Sequence, residues 1–583
     1  MPPMTGPQQR DGMHVEWDVP IEMDDGVVLR ADVFRPLDDD PHAVLLNYGP
    51  YGKGVHFADH ASPAWEALGT LYPDSRRDST NAYQAWEMAD PERWVPHGYA
   101  CVRIDSRGAG RSPGFLDPWS VRETRDLYDC IEWAAAEPWS NGKVGLTGIS
   151  YYAMNQWQVA ALRPPHLAAM CAWEGASDLY RELFYHGGIL STFTEHWYRR
   201  LVHGRQHGLG ARGPRSRVTG ALATGPETLT AEELGANRAD FWQAAIDHPL
   251  FDEYWAERVP DLERVEVPLL SAGNWGGQGL HLRGNVEGFT RAGSPDKWLE
   301  IHGGQHWAEF YTDYGYDLQR RFFDHFLKGE DTGWDGQPRV QLQVRHADGK
   351  FEQRAENEWP LARTEYQRYY LEPSGALTTL MPAVEAEVTY PALERGLTFL
   401  TLPIEADLEI TGHPRARIWL ETETDDADLF VILRVFTSDL REVTFAGSND
   451  PHTPIAHGWL RASHRKTSDD GHGHRPWHPH DETMPVSPGE VIELDVELWP
   501  TSIVVPRGFR IGVSLRGRDY MYPGADPQPF PFPGTGSGQG FEGVGPFRHI
   551  EPANRSAHSY LGQHTIHWSE QMTPFVDLPT IPS

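Results

Sequence analysis

From Val15 to Pro36 two runs of alternating apolar and polar residues flank Asp24-Asp25-Gly26, a turn triplet, and the pattern predicts a β-hairpin. Short apolar runs then alternate with helical periodicity. AVLLNYG (43–49), YACVRID (99–105), KVGLTG (143–148) and LAAMCAW (167–173) read as strands, with helices around 121–136 and directly after residue 150. In the first helix Leu127, Cys130, Ile131, Ala134 and Ala135 fall at i, i+3, i+4, i+7 and i+8, the spacing of one buried face. Apolar strands alternating with such helices predict a mostly parallel sheet covered on both sides.

After the strand at 167–173 the character changes. Segments 180–203 and 241–259 are helical in pattern and heavy in aromatics, and an insertion of that kind between core strands predicts a helical cap. The α/β pattern resumes with VPLLSAG (267–273) and KWLEIHGG (297–304) and closes with a helix, DLQRRFFDHFLKG (317–329), stopped by Gly329. Beyond about residue 335 come short β runs separated by Gly and Pro: 339–346, 416–424, 428–437, 491–499 and 509–517. Strands without intervening helices predict an all-β sandwich, a jelly roll. The expected layout is a flexible tail at 1–13, an α/β core at 14–177 and 263–334, a helical cap at 178–262, and a C-terminal β-sandwich at 335–583.

Size agrees with several domains, because 583 residues exceed the roughly 250–300 at which a single core stops growing. A formal charge of −32 repels nucleic acid and anionic membranes, which removes both as expected partners. No apolar stretch is long enough for a membrane span, and the first twenty residues lack the apolar block of a signal peptide. Cys101, Cys130 and Cys171 are too widely spaced for a disulfide framework or a zinc pattern, so a reducing cytoplasm is the expected location.

The chemistry concentrates in Gly148-Ile149-Ser150-Tyr151-Tyr152-Ala153, placed between a strand and a helix. A serine at the tip of a sharp strand-to-helix turn exposes its hydroxyl above the sheet, and the next backbone N–H is free to bind an oxyanion. Ser150 is therefore the candidate nucleophile. Tyr152 stands where such an elbow usually has a small residue, which comes one place later at Ala153.

The run IEWAAAEPWSNGKVGLTGISYYAMNQW (131–157) resembles the nucleophile region of the superfamily that includes cocaine esterase, α-amino acid ester hydrolase and X-Pro dipeptidyl peptidase. YGPYGKG (48–54), RIDSRGAGRSPG (103–114), RFFDHFLKGEDTG (321–333), HGWLRASHRK (457–466) and ELWPTSIVVPRGFRI (497–511) carry the resemblance across nearly the whole chain, in the family's order. It implies an α/β-hydrolase domain with a helical cap and a C-terminal jelly roll. It further implies ester or amide hydrolysis through an acyl-enzyme, without metal or cofactor. Tyr51 matches the family's oxyanion tyrosine, with the Tyr151 N–H as its partner.

An elbow fold orders its triad as serine, acid, histidine, so the base is sought late in the hydrolase domain. By the resemblance it is His306, five residues past Ile301, and not His302, which falls where the family has a small residue. The family's aspartate is absent: after VPLLSAG the chain runs Asn274-Trp275-Gly276-Gly277-Gln278-Gly279, with glycine at the expected place. In this fold the acid can sit at the end of the preceding core strand, where Glu174 follows LAAMCAW. Glu309 and Asp313 are nearer to His306 in sequence but share its loop, and Glu174 could instead cap the inserted segment or pair with Arg181.

Other patterns weigh less. RGAGRSPG lacks the closing glycine of a dinucleotide loop and the Lys-Ser/Thr of a phosphate loop. His472, His474, His478 and His480 have mixed spacings and two prolines, which suit a surface loop of the β-domain better than a metal site. Asn554-Arg555-Ser556 is a glycosylation sequon without a secretory signal. The sequence thus points to a serine hydrolase acting on a small-molecule ester or amide with a compact acyl group, and it leaves homo-oligomerisation open. An X-Pro-type dipeptidyl peptidase or amino-ester hydrolase is the alternative within the enzymes. A catalytically silent ligand-binding protein with a decayed triad is the alternative outside them.

Overall fold

The computed structural model describes residues 8–448, 450–468, 473–522 and 544–582. Its main sheet uses β1 (Gln8–Arg10), β2 (Met13–Glu22), β3 (Val28–Arg35), β4 (His42–Gly49), β5 (Tyr99–Asp105), β6 (Ser140–Ile149) and β7 (Leu167–Trp173). A small hairpin follows, β8 (Tyr185–His186) with β9 (Ile189–Leu190). The main sheet then resumes with β10 (Leu269–Asn274), β11 (Lys297–His302) and β12 (Val340–His346). Pairing gives the spatial order β1-β2-β3-β5-β4-β6-β7-β10-β11-β12, parallel from β5 onward. This is the order of an α/β-hydrolase sheet. All seven residues of β5 are buried, as in a strand covered on both faces, and its two charged residues, Arg103 and Asp105, are buried with the apolar ones.

The helix Val121–Ala136 begins where the Ser120 side chain accepts from the Glu123 N–H, and it buries Leu127, Cys130, Ile131, Ala134 and Ala135, the face read from spacing. The closing helix Asp313–Phe323 runs on as a wider turn, Asp324–Lys328, and stops at Gly329 in the left-handed region (φ 74°). Phe323 and Leu327 press on β6 so closely that a Cβ on Gly145 would lie 2.9 and 2.7 Å from their side chains.

Three expectations need correction. Part of the presumed tail is structured: β1 pairs with β2, and Met13 is buried, because its apolar side chain has the sheet to pack on. Segment 180–203 is not one helix but a π turn at Leu179–Phe184, the β8–β9 hairpin, a short helix at Phe193–Trp197 and a second π turn at Tyr198–Val202. Gly187 and Gly188 (φ 55° and 88°) break the periodicity there. The third concerns the histidine-rich stretch. His472 lies outside the described residues; His478 and His480 are buried, not in a surface loop. His478 bonds the carbonyls of Lys466 and Asp495, His480 meets His464 at 3.1 Å, and His474 pairs with Asp577.

Past β12 the chain is almost entirely β. Strands Arg415–Thr422, Asp428–Phe436, Ile492–Glu497 and Arg510–Arg516 lie where the alternation placed them, with Ile418, Leu420, Val431, Leu433, Val513 and Leu515 in one core. The two halves are joined through β12, which pairs with β11 on one side and with Thr501–Val505 at its far end. Buried ion pairs add to this join: Arg283 with Glu182 (2.9 Å) and Glu497 (3.2 Å), and Arg475 with Glu287 (2.7 Å). Among the described residues no helix is long and apolar enough to cross a membrane.

Truncating Phe323 to alanine should leave a cavity between the closing helix and β6 and cost about 3–5 kcal/mol. The first transition in a urea titration checks this, and a loss below about 1 kcal/mol would mean that the helix is not a main support of the sheet.

Candidate active site

Ser150 follows β6 with φ 57° and ψ −113°, a conformation that L-residues hold only under strain. Its N–H is shared between the carbonyls of Trp173 and Glu174 (both 3.1 Å), and its carbonyl accepts from the N–H groups of Ala153 and Met154. The turn is crowded because Tyr152 replaces a small residue. Room is made by glycines: a Cβ on Gly49 would sit 2.7 Å from the Tyr152 ring, and one on Gly148 (φ 138°) 2.4 Å from the Tyr152 Cβ. Tyr151 opens the following helix, at a position whose N–H has no intrahelical acceptor. The Tyr151 hydroxyl donates to Glu123 (2.5 Å), and its ring stacks on Trp119.

Tyr51, from the loop after β4, is buried against the rings of Tyr151 and Tyr152 (5.9 and 5.6 Å between centroids). Trp197, from the inserted segment, donates its indole N–H to the Tyr51 oxygen (2.8 Å). An indole can only donate, so the phenol's own proton is left for another acceptor. Burial, joined by the nearby Glu87 charge, holds the Tyr51 phenol well above its ordinary pKa and therefore protonated.

The histidines are arranged differently from expectation. The ring on Ser150 is His281, not His306: His281 Nε2 is 3.1 Å from the serine Oγ. The Ala176 N–H donates to His281 Nδ1 (3.2 Å), which makes Nδ1 the bare nitrogen and Nε2–H the donor toward Ser150. Burial, with the neighbouring His306 charge, pushes the His281 pKa well below its usual value. His306 stacks on this ring (centroids 5.3 Å, planes 19° apart). Its Nδ1–H donates to Glu174 (2.8 Å) and its Nε2 faces Glu87 (3.2 Å).

Glu174, itself at φ 45°, is fully buried and receives four donors. His302 Nε2 (3.1 Å) and Asn274 Nδ2 (3.3 Å) reach Oε1, while His306 Nδ1 and Ser448 Oγ (3.1 Å) reach Oε2. Neither alternative role for this residue is occupied by it, since Arg181 pairs with Asp178 and the Asp178 side chain caps the inserted segment. Asp313 pairs with Arg77 and Arg93, and Glu309 accepts from Thr312. Burial disfavours the Glu174 charge, but the His306 and His302 charges and hydrogen bonds outweigh it and bring the pKa down to about 2. Burial likewise opposes a charged His306, and Glu174 and Glu87 overcome it, raising His306 to about 9.

His281 and Glu87 escaped the sequence reading. His281 had one signal, its place at the start of the helix Leu282–Arg291, directly after the glycine loop that ends β10. Glu87 lies in a loop and had none. Chemically the constellation offers a hydroxyl at the tip of a strained turn, an imidazole with a carboxylate on each nitrogen, and protonated donors beside the elbow. Among the described residues no group of side chains is arranged to hold a metal ion.

Comparison with known proteins follows the same division. The family described as X-Pro dipeptidyl-peptidase (S15 family) matches residues 25–308, and the X-Pro dipeptidyl-peptidase C-terminal non-catalytic domain matches 332–576. Cocaine esterase of Rhodococcus sp. (strain MB1 Bresler) is 27% identical over 579 residues, covering 86% of this chain and 90% of that protein. A putative Xaa-Pro dipeptidyl-peptidase of Streptomyces avermitilis is 22% identical over 545 residues, covering 80% and 74%. The crystal structure of a CocE/NonD family hydrolase from Staphylococcus aureus superposes with a TM-score of 0.82 at 31% identity, over 98% of this chain and 94% of that one.

Because Glu87 helps to keep a proton on His306, Glu87→Gln should lower the His306 pKa and let the neutral ring persist to lower pH. The rate of Ser150 labelling by a fluorophosphonate, followed against pH, should then show its acid limb moved down from near 9. A limb that stays in place or moves up would remove Glu87 from the electrostatics of His306.

Proposed function

The chain belongs to the CocE/NonD family of hydrolases, and we propose that within it Ser150 is the nucleophile, His306 the general base, Glu174 its acid, and Tyr51 with the Tyr151 N–H the oxyanion donors. The protein is a serine hydrolase that cleaves an ester or amide bond through an acyl-enzyme. In the proposed sequence of events neutral His306 takes the Ser150 proton as Oγ attacks the substrate carbonyl, and the oxyanion is met by the two donors. The imidazolium then gives its proton to the leaving alcohol or amine, and water repeats the cycle on the acyl-enzyme. The observation that carries this reading is the 2.8 Å bond from His306 Nδ1 to a carboxylate fixed by three further donors. It supplies the orientation and charge that a base requires on its second nitrogen. Glycine in place of the family aspartate is then a relocation of the acid, not decay.

A second reading rests on the 3.1 Å contact of His281 with Ser150, which would make His281 the base. The hydrogen bond on the other nitrogen of His281 weighs against this second reading. To accept at Nε2, His281 would need its proton on Nδ1, where it would face the Ala176 N–H. As a donor, His281 leaves the serine's own proton unclaimed, and His306 takes it once its Nε2 exchanges Glu87 for the serine.

We read segment 178–262 as a cap over the elbow and 335–583 as a jelly roll, with Trp119, Trp197 and Phe241 bounding a compact acyl site. A peptide with a free amino terminus needs a carboxylate partner for its cationic amine: Glu174 is filled by four donors, whereas Glu87 and Glu123, which face His306 and Tyr151, each keep one buried oxygen without a hydrogen-bond partner. Three buried free cysteines fit a reducing compartment.

On p-nitrophenyl esters, His306→Asn should lower kcat by about 10⁴ or more, and His281→Asn by no more than about tenfold. The reverse ranking would make His281 the base. Tyr51→Phe should lower kcat by about 10²–10³ with KM nearly unchanged, as for a donor that strengthens only when charge develops; an unchanged kcat would return Tyr51 to a packing role.

A further inference from the structure

The contact between the two halves of the molecule runs through the candidate acid. Gly447 and Ser448, from a loop of the all-β half, lie against the end of β10, and the closeness of approach is set by glycine: a Cβ on Gly276 would fall 2.2 Å from the Gly447 Cα. The Ser448 N–H donates to the Gly276 carbonyl (3.1 Å), and the Ser448 carbonyl accepts the His306 N–H (3.1 Å). Its hydroxyl, on a residue only 2% exposed, donates to Glu174 Oε2 (3.1 Å), the oxygen that also receives His306 Nδ1. One residue of the all-β half therefore touches the acid, the backbone of the histidine loop and the glycine loop after β10.

From this we infer that the all-β half is part of the catalytic assembly, with Ser448 as the residue that positions Glu174 against His306. The inference rests on the reading of Glu174 as the acid. A carboxylate only accepts, so the Ser448 hydroxyl must spend its proton on Oε2. That adds a donor from the all-β half on Oε2, the oxygen facing His306, while the two donors from the core strands hold Oε1. The bond also draws charge from the oxygen facing His306 and so moderates the pKa of the base. Glycine at 276 has its reason here as well, because any side chain there would drive Gly447 away and take Ser448 with it.

The test is Ser448→Ala, which keeps both backbone bonds and deletes only the hydroxyl. On a p-nitrophenyl ester kcat should fall about tenfold, the scale of losing a hydrogen bond to a charged group, with KM within about twofold. The acid limb of the kcat/KM profile should move to higher pH, because a less neutralised Glu174 holds the His306 proton more tightly. A role confined to packing would not move that limb. Ser448→Cys, with the same shape and a weaker donor, should change both quantities in the same direction and serves if the alanine variant does not fold. In a Glu174→Gln background the effect of Ser448→Ala should vanish. An unchanged kcat and limb in Ser448→Ala, or an equal loss with and without Glu174, would overturn the inference. Should Glu174→Gln alone leave kcat within about threefold of the parent, it is the assignment of the acid that fails.

Discussion

A single ionised carboxylate, fully buried, sets the terms for the centre of this molecule. Placing a charge in such a site costs several kcal/mol unless partners surround it, and Glu174 is surrounded: two donors on each oxygen, two of them imidazoles. The donors come from four places in the chain, the end of β10, the end of β11, the loop after it, and the all-β half. They converge only because β7, β10 and β11 are neighbours in the sheet. His302 is held charged by the same arrangement. Burial opposes its charge, but Glu300 and Glu174 on its two nitrogens raise it to about 10. The result is an alternation of carboxylate and imidazole, Glu87–His306–Glu174–His302–Glu300, at whose centre Glu174 and the two histidines hold one another's charges.

The backbone bears strain at the two positions that matter most. Ser150 and Glu174 both have positive φ, and they are tied to each other: Ile149 pairs with Trp173 across the β6–β7 register, and the Ser150 N–H reaches both the Trp173 and Glu174 carbonyls. A 2.6 Å bond from the Glu174 N–H to the Ala272 carbonyl fixes the second turn to β10. Ser150 and Glu174 are thus presented by adjacent strand ends whose geometry the sheet over-determines, which is how strained residues persist.

What could be read from the sequence divides along the range of the interactions. The parallel strands, the helix face at 127–135, the elbow and the strands of the all-β half follow from local period and turn chemistry, and each lies where that pattern predicts. Glu174 could be nominated because the position after a core strand is itself a local feature, although its four partners are not. His281 and Glu87 are different in kind. Their significance arises from contacts 131 and 219 residues away in the chain, and nothing in their own neighbourhoods announces it. The inserted segment misled for another reason: its aromatic residues repeat with helical spacing, but they pack on Trp119 and Tyr151 and, around Trp255, on one another, and that packing favoured short turns over continuous helix.

The central claim is that Glu174 holds the His306 proton on Nδ1 and leaves Nε2 as the nitrogen that works. Nitrogen NMR on histidine-labelled protein, with the His306 signals identified by their loss in His306→Asn, tests it most directly. The account predicts a doubly protonated ring at neutral pH that titrates near 9 by losing the Nε2 proton while Nδ1 keeps its own. A His306 that is neutral at pH 7 with its proton on Nε2 and a bare Nδ1 facing Glu174 would contradict it.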